Sequence, residues 1–385
     1  MCTNILVVDD EFDLQELIKV HFRKAISADE LSFYFAMNGE EALAILHANP
    51  KISIIFTDIN MPIMDGLTLL ERLPELNRPY KAVVVSAYGD MSNIRRAMNL
   101  GAADFILKPF DFKDLDITMQ RMIHEFDRLQ AATLAEKQYN ALKIELEIAK
   151  QIQESMLPID FHPLPQAKLE IAACMIPADK VGGDFFDFFA LDADKLAFVI
   201  ADVSGKGISA CLYMATTRAL FRAFSTFSCA ETLTTINHVL NQDNPSCMFV
   251  TAFYAILEIN SGKLTYCSAG HPRPFLLKKD GSLIEIQCSH GHALGLDESP
   301  HLPLFHSETL ILNHGDAILL YTDGVPEALD SHQKFYTLER LKRTITPIMS
   351  KPVKEIVNGI VSNLKEFTNQ AVQSDDITIL AFRRN

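Results

Sequence analysis

Six apolar stretches of this sequence run into or out of aspartates, and that recurrence limits what the chain can fold into. LLYTDGV (319–325) carries Leu319, Leu320 and Tyr321 straight into Asp323 and Gly324. ILVVDDE ends on Asp9 and Asp10, IIFTDIN on Asp58, and AFVIADVSGKG on Asp202. KVGGDFFDFF sets Asp184 and Asp187 among aromatics, and QSDDITILAF leaves Asp375 and Asp376 for a strand. Carboxylates at the edges of buried strands are costly unless a positive charge meets them. A chain that repeats the device either brings strand ends together around positive charge or leaves its acids in solvated surface turns.

Two different frames hold these acids. Over residues 1–125, apolar strand patterns alternate with helical ones: NILVV, SFYFAM, ISIIFTD, KAVVVSA and DFILK, each followed by a helix, as in DLQELIKVHFRKAI and DGLTLLERLPEL. Five such pairs imply a doubly wound parallel α/β sheet, which binds ligands beyond the carboxyl ends of its strands. Asp9, Asp10, Asp58, Ser86 and Lys108 all fall there. Residues 165–385 instead read as an α+β layered domain. Strands dominate early and late, a hairpin turns at NSGK, and helices are expected at GISACLYMATTRALFRAF, AETLTTINHVLNQD, LERLKRTITPIM and VKEIVNGIVSNLKEFT.

Between the frames lies a proline-free helical pattern, 112–157, that stops at Pro158. One seam runs Leu115, Met119, Met122, Phe126, Leu129 in 4-3 spacing. A second runs Ala135, Tyr139, Leu142, Leu146, Ala149, Ile152 or Gln153, Met156, out of phase with the first near 130–135. Such a helix either packs on its own domains or pairs with a second copy. The dimeric coiled coil is the reading adopted.

Composition excludes several classes. The formal net charge of −14 leaves no basic footprint for nucleic acid. No apolar run approaches a membrane span and the N-terminus lacks a leader pattern, so the expected location is the cytoplasm. The seven cysteines are scattered and odd in number, which reads as reduced thiols used for packing. The twelve histidines make no zinc spacing. His271, in AGHPRP, is either a turn residue or a functional one.

In the first frame, Asp9, Asp10 and Asp58 should converge. At an effective dielectric near 20 and about 5 Å, each like-charged pair costs about 3 kcal/mol. Oxygen-only ligands suggest magnesium, while the Ser86 hydroxyl and the Lys108 ammonium suit a phosphoryl group. VVDDE, DINMPIMDG, VVSAYGD and GAADFILKPF together resemble the response-regulator receiver domains, flavodoxin-like in fold, over about residues 3–125. The resemblance implies that a sensor histidine kinase phosphorylates Asp58. It also implies that Asp10, Asp58 and the Asn60 carbonyl hold Mg2+ with Asp9 in support, that Ser86 and Lys108 contact the phosphoryl group, and that Phe105 is the switch aromatic.

In the second frame, Asp184, Asp202, Asp323 and Asp375 are too many carboxylates for one ion. Two divalent ions side by side activate water and neutralise a phosphoryl group in transfer. Glycines beside the acids (Gly182, Gly183, Gly205, Gly207, Gly324) allow tight turns and close approach. On spacing alone, acidic surface turns remain an equal reading. VGGDFFDFF, ADVSGKGISA, FVTAFYAILE, SAGHPRP, LLYTDGVPEA and SDDITIL, in this order, resemble the PPM-type serine/threonine phosphatases, in particular the SpoIIE/RsbU-like branch. ELEIAKQIQESMLP resembles the helix ahead of that domain, and GISA stands where GIPA is usual. The resemblance implies an αββα sandwich with two Mn2+ or Mg2+. Asp202 would bridge both ions with the Val203 carbonyl as a further ligand. Asp323 and Asp375 would hold one ion, Asp184 would act directly or through water, and Asp187 and Asp376 would support.

The expected organisation is a receiver at 1–125, a coiled-coil linker at 126–160 and a phosphatase at 161–385. The expected function is a response regulator whose output dephosphorylates a protein, by resemblance a STAS-type anti-sigma-factor antagonist, acting as a homodimer. The competing reading is an adaptor whose phosphatase-like domain only binds a partner; the survival of all four aspartates favours the enzyme. A DNA-binding output lacks both a basic patch and a helix-turn-helix.

Overall fold

A computed structural model of the chain describes residues 2–87, 91–158, 168–225, 228–242, 244–296 and 305–385. The last three residues of VVSAYGD and the expected boundary at 160/161 lie outside the described residues. The chain divides into two compact units, Met1–Leu142 and Lys143–Asn385.

In the first unit, strands β1 (Thr3–Val8), β2 (Leu31–Ala36), β3 (Ile52–Asp58), β4 (Lys81–Ala87) and β5 (Asp104–Lys108) form one parallel sheet in the order β2-β1-β3-β4-β5. This is the flavodoxin-like winding, with its crevice where the order reverses between β1 and β3. Asp9 follows β1 and Asp58 ends β3, so the winding itself brings them together. Helices α1 (Phe12–His21), α2 (Arg23–Ser27), α3 (Gly39–Ala48), α4 (Gly66–Arg72) and α5 (Met91–Asn99) connect the strands. Asn38 and Asp65 cap α3 and α4 by accepting the amides of Glu41 and Thr68. Gly66 is obligatory in DINMPIMDG, because a Cβ there would lie 2.0 Å from the Asp58 carbonyl oxygen.

Two helices stop sooner than their patterns suggest. The one expected through Ile26 breaks at Phe22, which is buried and packs its ring 5.2 Å from Phe33. The one expected through Leu76 ends at Arg72 and continues as a 3₁₀ turn, Leu73–Leu76. Pro74 there has no N–H to carry an α-helical ladder forward.

A single helix, α6 (Phe112–Met156), then runs on into the second unit. Its first seam is not free to pair with a second copy. Leu115, Met119, Met122 and Phe126 are buried in the receiver core with Ile5, Val7, Phe56 and Ile106. The expectation of pairing along that seam is corrected: the same 4-3 spacing serves a helix laid over a sheet. Beyond it, Leu129, Tyr139 and Leu142 are exposed, the last two at 67% and 49%.

The second unit is a sandwich of two largely antiparallel sheets. One sheet runs β13 (His290–Gly291), β10 (Lys263–Ala269), β9 (Val250–Glu258), β8 (Lys195–Val203), β7 (Phe185–Ala190), with β14 (Glu308–Ile311) also on β10. The other runs β12 (Leu283–Glu285), β11 (Phe275–Leu277), β15 (Ala317–Tyr321), β16 (Ile377–Arg384), β6 (Leu169–Ile176). Helices α7 (Gly207–Ala223) and α8 (Cys229–Gln242) cover the first sheet; α9 (Leu338–Ile345) and α10 (Val353–Thr368) cover the second. The period-2 alternation of strands sorts the side chains. In β8, Leu196, Phe198 and Ile200 point between the sheets, while Ala197, Val199 and Ala201 meet the helices. Phe198 stacks on Phe382 across the middle at 3.9 Å.

The fold makes one prediction about α6. Met122→Ala should destabilise the receiver by about 2–5 kcal/mol, the range for truncating a buried methionine. Denaturant titrations should give the same loss at every protein concentration. A loss that changes with concentration would return Met122 to an intermolecular seam.

Candidate functional site

In the receiver crevice, Asp9, Asp10 and Asp58 each bring a carboxylate oxygen within 4.8 Å of the others. Asp9 and Asp58 are buried and Asp10 is exposed. Lys108, at the end of β5, reaches Asp9 at 2.8 Å and Asp58 at 2.6 Å. Burial pulls its pKa down, but its hydrogen bonds to Asp58 and Asp9 outweigh that and leave it raised. Burial likewise raises Asp9, against the pull of Lys108. The Asn60 amide donates to Asp58 Oδ1 at 3.2 Å, and Phe105 is 38% exposed. The Ser86 Oγ is buried without a hydrogen-bond partner among the described residues. An oxygen-only triad beside one ammonium and one unspent hydroxyl fits Mg2+ and a phosphoryl group.

The second set of acids is gathered by strand direction. β7 and β8 are antiparallel with Phe185 opposite Ala201, so Asp184 enters the sheet where Asp202 leaves it. β15 and β16 are antiparallel with Tyr321 opposite Ile379, so Asp323 follows one strand where Asp375 precedes the other. Asp184 and Asp202 share the parity of the residues that face between the sheets. Asp184 is fully buried, and burial together with the Asp202 charge pushes its pKa well up. Burial and the charge of Asp323 raise Asp202 to about 7. Burial and the charges of Glu327 and Asp375 raise Asp323. Carboxylates that repel one another in a desolvated place are a donor set for divalent cations.

They are nevertheless spread. Among the described residues, no three of these acids bring oxygens within 4.8 Å of one another. With Mg–O distances of about 2.1 Å, ligand oxygens lie at most about 4.2 Å apart. Three of them can share one ion only after side-chain rotation.

The surrounding residues explain the local sequence. Thr322, buried just before Asp323, donates from Oγ1 to Asp184 Oδ2 at 2.7 Å and accepts the Thr378 amide at 3.0 Å. Asp376 organises the loop that carries Asp184: its carboxylate accepts the amides of Ala178, Gly183 and Asp184 at 2.7, 2.6 and 3.3 Å. Gly324 abuts the backbone of that same residue, since a Cβ would lie 1.9 Å from the Asp376 carbonyl oxygen. At Gly183 a Cβ would lie 2.9 Å from the Val203 carbonyl oxygen. Lys206 reaches the Ser374 carbonyl and lies 3.5 Å from Asp375.

Asp187 does not join the cluster. Its position in β7 turns it toward α7, where Arg218 and Arg222 meet it at 3.0 and 2.7 Å. The expectation that it supports the metals is corrected: it neutralises the helix face. His271 is a buried neutral imidazole, pushed down to about 3 by desolvation. Its Nδ1 shares a 2.9 Å hydrogen bond with Thr251, the residue opposite Asp202.

Comparison with known proteins follows the same division. Residues 192–385 match the family model described as Stage II sporulation protein E (SpoIIE), and residues 5–120 match that of the response regulator receiver domain. Protein IcfG of Synechocystis is 31% identical over 272 residues, 63% of this chain and 42% of that protein. Phosphoserine phosphatase RsbU of Bacillus subtilis is 29% identical over 277 residues, 71% of this chain and 80% of that protein. The solved RsbU and RsbW domains of Rv1364c from Mycobacterium tuberculosis are 30% identical with a TM-score of 0.50, over 57% of this chain and 60% of that one. The SiaA-PP2C domain of Pseudomonas aeruginosa, 22% identical with a TM-score of 0.56 over 64% and 98%, shares the fold.

Mutual repulsion in the second site has a measurable sign. A like-charged pair near 5 Å is worth about 3 kcal/mol at an effective dielectric of 20. Asp202→Asn should therefore stabilise the chelator-treated protein by about 1–3 kcal/mol, and it should lower the gain in melting temperature that Mn2+ gives. A destabilised variant that still responds fully to Mn2+ would take Asp202 out of the site.

Proposed function

Because this chain belongs to the SpoIIE family and carries a receiver domain ahead of the phosphatase domain, we propose that it is a response regulator whose output is hydrolysis of protein phosphoserine or phosphothreonine. The observation that carries the reading is the delivery of Asp184, Asp202, Asp323 and Asp375 to one end of the sandwich from both sheets. An adaptor would have no need to keep four repelling acids.

Asp202 and the Val203 carbonyl would serve two Mn2+ or Mg2+ ions, Asp323 and Asp375 would hold one of them, and Asp184 would support the pair. When bound, such ions activate water and neutralise charge on a phosphoryl group in transfer. Thr322 keeps Asp184 aimed, and Asp376 fixes the loop that presents it. In the receiver, Asp10, Asp58 and the Asn60 carbonyl would hold Mg2+. A carboxylate oxygen of Asp58 bonds to phosphorus as the N–P bond of a sensor kinase's phosphohistidine breaks. Lys108 and Ser86 then take the phosphoryl oxygens, and Phe105 answers the change.

The likeness to RsbU supports a phosphoserine substrate, and the branch it represents supports a STAS-type anti-sigma-factor antagonist. The functional limits we assign are 1–125 for the receiver, 126–160 for the linker and 161–385 for the phosphatase. No helix of the described residues is long and apolar enough to cross a membrane. A second copy of the chain covers the exposed apolar residues of α6 beyond Phe126, including Leu134, Tyr139 and Leu142. Phosphorylation acts through that helix.

Three experiments test this reading. Purified protein should release phosphate from a phosphoserine-bearing STAS-type protein only with Mn2+ or Mg2+. Asp323→Ala should lose about 100-fold or more, at least the scale for outer partners of metal ligands, with the fold retained by circular dichroism. Activity in excess chelator would remove the two-ion mechanism. Separately, Asp58→Asn should abolish labelling by a small phosphodonor and any change in phosphatase rate that labelling produces. One residue inserted after Ala132 turns the rest of α6 by about 100°. It should uncouple phosphorylation from rate while the basal activity stands. An unchanged response would exclude the helix as the route.

A further inference from the structure

Gln153, three residues from the end of α6, is 3% exposed, while its neighbours Ile152 and Glu154 lie in the open. A buried carboxamide is tolerated when both of its ends are satisfied. Here both are used on one residue. Gln153 Nε2 donates to the Gly182 carbonyl at 2.7 Å, and Gln153 Oε1 accepts the Gly182 amide at 3.0 Å. The side chain thus occupies Gly182 as a neighbouring strand would.

Gly182 is pinned on its other side as well. A Cβ there would lie 2.5 Å from Asp376 Oδ2, the oxygen that accepts the amides of Gly183 and Asp184. The segment Gly182–Asp184 is threaded between Gln153 and Asp376. What it carries belongs to the site: the Asp184 carboxylate, and Gly183 packed on the Val203 carbonyl.

We propose that Gln153 is a positioning residue of the phosphatase metal site. Its carboxamide holds Gly182–Asp184 in the conformation that presents Asp184 and leaves the Val203 carbonyl accessible to an ion. This rests on the two-ion reading above and gives that reading its input. The residue that fixes the loop sits on the helix that begins in the receiver. Two hydrogen bonds to one backbone residue tolerate shifts of a few tenths of an ångström. Moving Gln153 by one residue along the helix relative to the loop, about 1.5 Å and 100°, breaks both, whereas an insertion after Ala132 leaves Gln153 and Gly182 together in one unit. An ion pair between this stretch and the approach to the loop, Glu147 with Lys180 at 3.3 Å, is exposed and supplies a control.

The test uses full-length protein carrying Asp10→Ala, so that the receiver ion does not contribute. Mn2+ binding is measured by calorimetry, phosphate release is followed against Mn2+ concentration, and folding is followed by thermal melting. Gln153→Leu removes both hydrogen bonds. It should weaken Mn2+ binding by about 10–100-fold, the range for outer partners of a metal ligand, with most of the maximal rate recovered at saturating Mn2+. Gln153→Glu keeps the acceptor for the Gly182 amide and should fall between. Glu147→Ala should match the parent. Wild-type Mn2+ affinity in folded Gln153→Leu overturns the proposal, as does equal weakening in Glu147→Ala. If Gln153→Leu does not fold, Gln153→Glu decides by the same measure, and failure of both to fold assigns Gln153 to stability alone. If the parent and its Asp202→Asn derivative give the same titration, the two-ion reading itself fails, and the role of Gln153 fails with it.

Discussion

Repulsion between carboxylates at strand ends is the constraint on which the rest of this molecule depends. In the receiver it is met within the protein, because Lys108 bridges Asp9 and Asp58. In the sandwich the acids outnumber the cations beside them, and burial lifts Asp184, Asp202 and Asp323 above the ordinary carboxylate range. Both sheets, the glycines that let backbones touch and the hydroxyl of Thr322 are arranged to keep charges in a place they would leave if the chain were free. Strand pairing resists that repulsion only because the core behind it is close packed, with Phe198 on Phe382 and Phe185 against Phe221.

Much of this was legible in the sequence because the patterns are local. Alternating periods marked the receiver's strands and their parallel winding, and apolar runs ending in aspartate marked which strand ends carry acids. What was not legible depended on partners distant in sequence. Asp187 reads like Asp184 as an acid beside phenylalanine, yet a separation of three positions along the strand, an odd number, sends them to opposite faces, and Arg218 and Arg222 are thirty or so residues away. Thr322 is silent in the sequence because a threonine ahead of an aspartate has no signature until β16 is laid beside it. Gln153 hid for a different reason: a polar residue at a seam position reads as a flaw in an apolar stripe.

The long helix shows why periodicity underdetermines partners. Leu115, Met119, Met122 and Phe126 would suit a second helix, but the sheet of the receiver takes them. Spacing says that a stripe will be covered without saying by what. Only after the receiver's need is met does the sequence between Phe126 and Leu146 offer apolar residues to another chain.

That division has a mechanical consequence. The helix is built in at both of its ends, by the receiver core around Phe126 and by the paired carboxamide of Gln153, with a solvated span between them. A rod clamped in this way cannot slide as a piston without tearing out one of its fixings. It can twist or bow, and the span between the clamps then acts as a spring whose stiffness depends on what lies against its exposed side.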